Sequence, residues 1–320
     1  MNIYLAPLQG FTEREYRNSY SRFFSGVDLA IAPFVSALQG GQCKKRELRD
    51  ILPENNRLLP VIPQIMGNDP KDFALVSEQI HDMGYSAVNW NLGCPYKMIA
   101  KKKKGSGLLC FPEMIDAFLD QVFPLLKTSL SIKMRLGRHD SNEVYDLMPI
   151  LNRYPIEEIT IHPRTGIQMY DGHVDLETFE QACRISTHKI IYNGDIRGIN
   201  DYKMLAGRFD FIHTWMIGRG VLADPFLPMT IKNGCDRVSD KMDRVKHFHD
   251  DYFQAMCENL SGPTHVTDRM KAFWSYLAPS LDGGDGFFKT IKKINDPVMY
   301  RYGVEDYFDR GTQWIGPRNI

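Results

Sequence analysis

The chain lacks several of the simplest functional signatures. Its six cysteines form no CxxC pair and no Cys/His group at metal-ligand spacing, which argues against a disulfide framework or a zinc site. The formal net charge of +0 gives no global signal for nucleic acid, although a local basic patch is compatible with it. No apolar run approaches the ~20 residues that span a bilayer, and the first residues lack the order of a signal peptide. We therefore expect a cytoplasmic protein with no metal and no membrane contact.

Short apolar runs rich in β-forming residues alternate with stretches of helical periodicity. This alternation predicts an α/β fold, a (β/α)8 TIM barrel. The absence of GxGxxG after the first run argues against a dinucleotide-binding Rossmann fold. The eight predicted strands are Ile3–Ala6, Leu29–Pro33, Val61–Met66, Ala87–Asn91, Leu130–Arg135, Glu158–His162, Ile190–Asn193 and Phe211–Ile217.

The pattern changes near Asp236, after which no further strand run occurs. Asp240–Leu260 and Thr267–Leu277 are predicted to be amphipathic helices, and shorter helices follow through Tyr307. The glycine-rich stretch Asp282–Gly286 is predicted to break this helical region once. We therefore predict two domains, a catalytic barrel over residues 1–236 and an all-helical domain over residues 237–320.

Polar residues recur where the predicted strands end, and active sites of such barrels lie at the carboxyl ends of the strands. So many groups at one rim favour a ligand large enough to touch most of it. The strand-end residues are Pro7, Gln9, Gln64, Asn91, Cys94, Lys133, Arg135, His162, Asn193, Asp195, Gly218, Arg219 and Gly220.

The loops after the seventh and eighth strands favour a phosphate site. Both Asn193-Gly194-Asp195 and Gly218-Arg219-Gly220 combine glycine with polar groups at the usual phosphate position of such barrels. Arg219 adds a bidentate partner for phosphate oxygens. The alternative is a pair of ordinary turns with a surface arginine.

Four further residues each have a functional and a structural interpretation. Lys133 either faces an electron-rich ligand or forms a salt bridge inside the barrel, because a buried unpaired lysine is costly. His162 and Gln64 either bind a ligand or are satisfied polar groups at strand ends. Cys94, between Gly93 and Pro95, is either a presented thiol or a buried structural one.

Together these motifs resemble the dihydrouridine synthase family, flavin enzymes that reduce uridine in tRNA. Asn89 stands where the family usually has Asp, Pro163 where Gly is common, and Ser36 where the bacterial C-type enzymes have a tRNA-facing arginine. In the helical region, Arg269–Leu277 is similar to a helix of those C-type enzymes. The matching segments are Ala6–Gly10, Pro63–Gly67, Asn91–Pro95, Gly105–Leu109, Lys133–Gly137, His162–Thr165, Asn193–Ile196 and Gly218–Gly220.

The resemblance implies bound FMN, reduced by NADPH or NADH, and a tRNA substrate bound by a monomer. Hydride would pass from flavin N5 to C6 of a D-loop uridine, and Cys94 would donate a proton to C5. Asn91 and Arg135 would hold the extruded uridine, and Arg269 and Lys271 would contact the tRNA. The residues implied to bind FMN are Pro7, Leu8, Gln9, Gln64, Lys133, His162, Asn193, Gly194, Asp195, Gly218 and Arg219.

Two other functions remain open from the sequence. One is an FMN-dependent reductase or dehydrogenase of a free pyrimidine, similar to dihydroorotate or dihydropyrimidine dehydrogenase. The other is an RNA-binding module that has lost catalysis.

The run Lys101–Lys104 is either a basic loop that contacts RNA beside Cys94 or a solvated surface loop.

Overall fold

The computed structural model describes residues 1–318 and contains one parallel sheet of ten strand segments. Their order in the sheet is β3-β5-β6-β7-β8-β9-β10-β1-β2-β4. The segments are β1 (Asn2–Leu5), β2 (Leu29–Ile31), β3 (Val35–Ser36), β4 (Val61–Ile62), β5 (Gln64–Met66), β6 (Ala87–Leu92), β7 (Ser129–Gly137), β8 (Glu158–Thr165), β9 (Lys189–Tyr192) and β10 (Thr214–Ile217).

The ten segments form the eight strands of a closed barrel. Segments β2 and β3 are two parts of one interrupted barrel strand, and β4 and β5 are two parts of the next, because β2 pairs with β4 and β3 pairs with β5. Pro33 and Pro63 lie at the two interruptions, where a proline without an N–H cannot continue the ladder. Since β1 pairs with both β2 and β10, the ring closes, and the predicted TIM barrel is confirmed.

Helices surround the barrel and pack their apolar stripes against it. In α3, Asp69 accepts a hydrogen bond from the N–H of Asp72, and Phe73, Val76 and Ile80 recur at helical spacing on the buried face. The helices between the strands and directly after them are α1 (Arg14–Phe23), α2 (Lys45–Ile51), α3 (Pro70–Asp82), α4 (Lys97–Ala100), α5 (Pro112–Val122), α6 (Glu143–Leu151), α7 (Leu176–Ile185), α8 (Ile199–Arg208), α9 (Arg219–Ala223) and α10 (Leu227–Asn233).

Four helices follow the barrel: α11 (Lys241–Asn259), α12 (Pro263–Leu277), α13 (Gly284–Ile291) and α14 (Pro297–Asp309). The predicted break over Asp282–Gly286 is partly wrong, because α13 begins inside it. A Cβ on Gly284 would lie 1.9 Å from the carbonyl oxygen of Ala278, so close packing requires that glycine.

The helical region joins the barrel through a shared aromatic core. Tyr16 of α1 packs against Phe248 and Tyr252 of α11, with ring centroids 5.6 and 5.8 Å apart. The division into domains at residue 236 stays a prediction. Within residues 1–318, no helix is both long and apolar enough to cross a membrane.

Candidate active site

A cavity opens at the carboxyl ends of the barrel strands and collects most of the predicted site residues. It encloses about 1210 Å³ of empty space, including open solvent at its mouth. Gln64, Arg269 and Lys271 do not line it. The predicted residues that do are Pro7, Leu8, Gln9, Asn91, Cys94, Lys133, Arg135, His162, Asn193, Gly194, Asp195, Gly218 and Arg219.

Cys94 lies in a loop whose backbone N–H groups are held by Asn91. The Oδ1 atom of Asn91 accepts hydrogen bonds from the N–H of Cys94 at 2.9 Å and from that of Gly93 at 3.1 Å. Pro95, the next residue, has no N–H to satisfy. The side chain of Asn91 therefore fixes the entry to this loop.

The carbonyl oxygens of residues 93–95 are each held by a different side chain. Arg135 Nε donates to the carbonyl of residue 93 at 3.0 Å, and Ser106 Oγ to that of residue 94 at 2.9 Å. Arg138 Nη1 donates to the carbonyl of residue 95 at 3.0 Å. Because the backbone polar groups are satisfied on both sides, the loop holds the thiol in a defined place.

Gly105 explains why a glycine-rich motif follows Cys94 in the sequence. Its φ is +56°, a conformation that side chains strain, and a Cβ there would lie 2.8 Å from the carbonyl oxygen of Cys94. Ser106 and its neighbours can thus pack directly beneath the Cys94 loop.

The Cys94 thiol is nearly buried but still lines the cavity, with 9% of its surface exposed. Burial raises the pKa of this thiol, and the positive charges of Arg135, Lys133 and Arg138 only partly oppose the effect. The thiol is therefore protonated at neutral pH.

A chain of buried amides lies below Cys94. Asn91 Nδ2 donates to Gln64 Oε1 at 2.6 Å, and Gln64 Nε2 donates to Asn89 Oδ1 at 2.7 Å. Asn89 Nδ2 donates in turn to Ser131 Oγ at 2.9 Å. Gln64 is 0% exposed and its amide is occupied by these neighbours, so its predicted contact with a cofactor stays a prediction.

Lys133 is a cation without a protein partner at the cavity wall. Its ammonium makes no hydrogen bond or ion pair with any group in residues 1–318. Burial, together with the nearby charge of Arg135, lowers the pKa of Lys133 to about 7. An electron-rich or anionic ligand would supply the interaction that the protein does not.

His162 is neutral and faces a cluster of arginines. Burial, followed by the charges of Arg135, Lys133 and other nearby arginines, holds its pKa well below the usual value. Arg164 Nη1 lies 3.1 Å from Nε2 of His162. Since a guanidinium can only donate, we assign the imidazole proton to Nδ1.

Arg164 belongs to the His162–Thr165 motif, but no role was predicted for it from the sequence. It is fully buried and binds both carboxylate oxygens of Asp195, at 2.9 and 2.6 Å. Arg219 Nη2 also donates to Asp195, at 3.0 Å. Asp195 thus organises the two arginines beside the candidate phosphate loops.

Those loops offer free backbone donors. The N–H groups of Gly194 and Gly218 make no hydrogen bond to any group in residues 1–318. A Cβ on Gly194 would lie 3.1 Å from the hydroxyl of Tyr192, and one on Gly218 would lie 3.2 Å from Cβ of Ala6. The close packing and the free donors both suit a phosphate group.

Tyr170 and Tyr276 also line the cavity, a contact that the sequence did not predict for either residue because they lie far apart in the chain. The guanidinium carbons of Arg135 and Arg219 lie 5.5 and 4.8 Å from the ring centroid of Tyr170. Tyr276 of α12 packs edge-on against Phe11, with centroids 5.2 Å apart. Helix α12 therefore contributes directly to the cavity wall.

Arg269 and Lys271, predicted to contact tRNA, are both engaged with protein. Arg269 bonds to the carbonyl of Gly10 and lies 3.2 Å from a carboxylate oxygen of Glu13. Lys271 Nζ donates to Asn295 Oδ1 at 2.8 Å. Their predicted contacts with tRNA stay predictions.

In the described part of the chain, no group of three His, Cys, Asp or Glu side chains is arranged to hold a metal ion.

Two curated proteins are similar to this chain over nearly its whole length. A chain named probable tRNA-dihydrouridine synthase, from Rickettsia bellii (strain RML369-C), is 23% identical over 312 residues, covering 96% of this chain and 94% of that one. The tRNA-dihydrouridine synthase B of Proteus vulgaris is 26% identical over 324 residues, covering 95% and 94% of the two chains. These relatives carry the B designation or no letter, so the likeness of α12 to the C-type enzymes stays a prediction.

Solved structures show the same fold at low identity. Morphinone reductase superposes with a TM-score of 0.50 at 12% identity, covering 73% of this chain and 86% of that one. The family model for dihydrouridine synthase matches residues 4–304, nearly the whole chain. The chain therefore belongs to the dihydrouridine synthase family.

Proposed function

We propose that this protein reduces a uridine in the D-loop of tRNA to dihydrouridine, using FMN and a nicotinamide reductant, NADPH or NADH. The observation that carries the proposal is a protonated thiol, Cys94, and an unpaired cation, Lys133, in one cavity. Membership of the family and the tRNA-modifying names of its relatives support the choice of reaction and substrate.

The residues present fit FMN. Lys133 provides a cation with no protein partner, and the free N–H groups of Gly194 and Gly218, with Arg219, suit the phosphate. When bound, the flavin supplies the hydride for C6 of the uracil ring. Pro7, Leu8 and Gln9 at the end of β1 would lie along the cofactor.

Cys94 supplies the proton that must reach C5 of the uracil. Its raised pKa keeps the thiol protonated at neutral pH, which suits an acid better than a nucleophile. The hydrogen bonds to the backbone of the Cys94 loop keep the sulfur in one position, so little conformational entropy is lost when the base binds.

Lys133 and Arg135 give the cavity its electrostatic character. A positive charge on Lys133 stabilises negative charge that develops on the ring system beside it. Arg135, whose guanidinium is held by the carbonyls of Gly93 and Thr165, presents its remaining surface to the cavity and to Tyr170. We infer that Asn91 and Arg135 orient the uracil through these fixed positions.

A uridine stacked inside folded tRNA must be extruded to reach Cys94. The cavity is open to solvent and has Tyr170 and Tyr276 at its wall, which suits a base that arrives on a polynucleotide. We further infer a monomer working in the reduced cytoplasm, in keeping with six free cysteines.

The test is a comparison of substrates with the purified protein. Flavin absorbance and dihydrouridine formation should both appear when tRNA lacking the modification is supplied with a nicotinamide reductant. Free uracil and dihydroorotate should give no turnover. Turnover of either free pyrimidine without reaction on tRNA would instead favour a free-pyrimidine reductase.

A further inference from the structure

A short exposed segment beside Cys94 combines basic and apolar side chains. We define it as the mouth surface: Tyr96, Lys97, Met98, Lys101 and Lys102. It begins two residues after Cys94 and includes the first two residues of α4. The overall charge of the chain is +0, so this local excess of positive charge stands out from its surroundings.

The lysine run divides into two free and two engaged side chains. Lys101 and Lys102 are exposed and form no ion pair or side-chain hydrogen bond with any group in residues 1–318. Lys103 lies over the ring of Phe111, 4.2 Å from its centroid, and Lys104 donates to the carbonyl of Ala37 at 3.3 Å. Lys97 is also exposed and unpaired within the described chain.

Lys97, Lys101 and Lys102 form no ion pair with a carboxylate in residues 1–318. Asp69 and Asp72 are the acidic groups that raise the pKa of Lys104, although its burial lowers that pKa more. The free lysines are therefore not neutralised by a neighbouring acid, and their charge is available to an anion.

The apolar members of the mouth surface are exposed where a folded protein usually hides them. Tyr96 is 57% exposed and Met98 is 72% exposed. Tyr96 also lines the cavity that contains Cys94. An exposed aromatic ring beside lysines is the combination on which successive bases of a single strand stack.

The backbone under the mouth surface is fixed. Arg138 holds the carbonyl of Pro95 at 3.0 Å, and Asn68 Nδ2 donates to the carbonyls of Lys102 and Lys103, each at 3.1 Å. The surface is thus a preformed platform rather than a loop that must be ordered on binding.

We propose that the mouth surface binds the single-stranded RNA nucleotides that flank the target uridine. Tyr96 stacks on a neighbouring base, and Lys97, Lys101 and Lys102 contact the phosphates. This inference rests on the proposed function and assigns the contacts with the flanking nucleotides to a segment outside α12.

The charge contacts are tested by the salt dependence of tRNA binding to the flavin-loaded protein. Substituting both Lys101→Gln and Lys102→Gln should reduce the slope of log affinity against log salt by about 1.4, at about 0.7 for each single-strand phosphate contact. The control Lys203→Gln removes an exposed lysine of α8 and should leave the slope unchanged. An unchanged slope in the double variant would overturn the proposal.

The stacking contact is tested separately. Tyr96→Leu should weaken tRNA binding about tenfold without changing the salt slope, because base–aromatic stacking is worth about 1–3 kcal/mol. Tyr96→Phe keeps the ring and should restore affinity. Equal affinity of the Leu and Phe variants would contradict the stacking role.

These results separate the inference from the proposed function. If the variants bind tRNA like the wild type and the wild type forms dihydrouridine, only the RNA-binding role of the mouth surface is rejected. A wild-type protein that binds tRNA with the predicted salt response but forms no dihydrouridine rejects the reaction and leaves the RNA surface supported.

Discussion

At the scale of single residues, burial in the cavity shifts the pKa values of two titratable groups. Cys94 stays protonated because its thiolate would be poorly solvated, and Lys133 loses its proton easily for the same reason. One residue is thereby kept as an acid, and the other responds to the charge of its ligand.

Replacing Cys94 with alanine should reduce dihydrouridine formation by about 10²–10⁴-fold, the usual contribution of a positioned general acid. Flavin content and flavin reduction by the nicotinamide should be unaffected, and both can be followed by absorbance. Cys110→Ala, a change outside the cavity, serves as the control. Full activity of Cys94→Ala would exclude the thiol as the proton donor.

The stability of the cofactor-free protein should depend on pH through Lys133. Its folded-state pKa of about 7 is below the unfolded value of about 10.4, so the unfolded chain binds more protons between these values. The free energy of unfolding should therefore gain a contribution that rises with pH across this window.

Urea unfolding of Lys133→Met across the same pH range provides the comparison. The variant should lack the rising contribution, and the difference between the two proteins should shrink as the pH increases. A difference that stays constant with pH would show that Lys133 titrates normally.

At the scale of elements, glycines and buried side chains hold the Cys94 loop in place. Gly105→Ala should place a Cβ against the carbonyl of Cys94 at a strained backbone position, lowering both the unfolding free energy and the rate of dihydrouridine formation. The control is Gly207→Ala in α8, where the added Cβ would have no atom within 4 Å. It should stabilise the protein by about 0.5–1 kcal/mol. Equal stability and activity of the two variants would contradict the role of Gly105.

Strands and long helices were predictable from the sequence because apolar periodicity is a local property. The pattern located α11 and α12, predicted over Asp240–Leu260 and Thr267–Leu277, and the strand end beside Asn193. It could not show that Pro33 and Pro63 interrupt two barrel strands, or that Gly284 is required for packing against Ala278. Both depend on contacts between residues in the folded structure.

The candidate site was predictable in part for the same reason. Strand ends converge at one rim of a barrel, so their polar residues could be grouped before the structure was known. The role of Arg164 depends on its distance to Asp195, and those of Tyr170 and Tyr276 on a loop and helix α12 that both line the cavity. No local pattern carries that information.

At the scale of the whole molecule, α12 connects the helical region to the first barrel loop. Arg269 bonds to Gly10 and Glu13 and is only 16% exposed. Arg269→Met should therefore lower the free energy of unfolding by about 1 kcal/mol, measured in urea, because two partly buried acceptors lose a charged hydrogen-bond partner.

The control Lys203→Met should change stability much less. A normal stability of Arg269→Met together with a smaller salt slope for tRNA binding would contradict the structural role and support direct contact with RNA.

The most direct test of the central claim is a map of dihydrouridine in tRNA from cells that lack this protein. The account predicts that the modification disappears from a D-loop position and returns when the wild-type chain is supplied, but not when the Cys94→Ala chain is supplied. An unchanged dihydrouridine pattern in the deficient cells, or its full return with Cys94→Ala, would contradict the account.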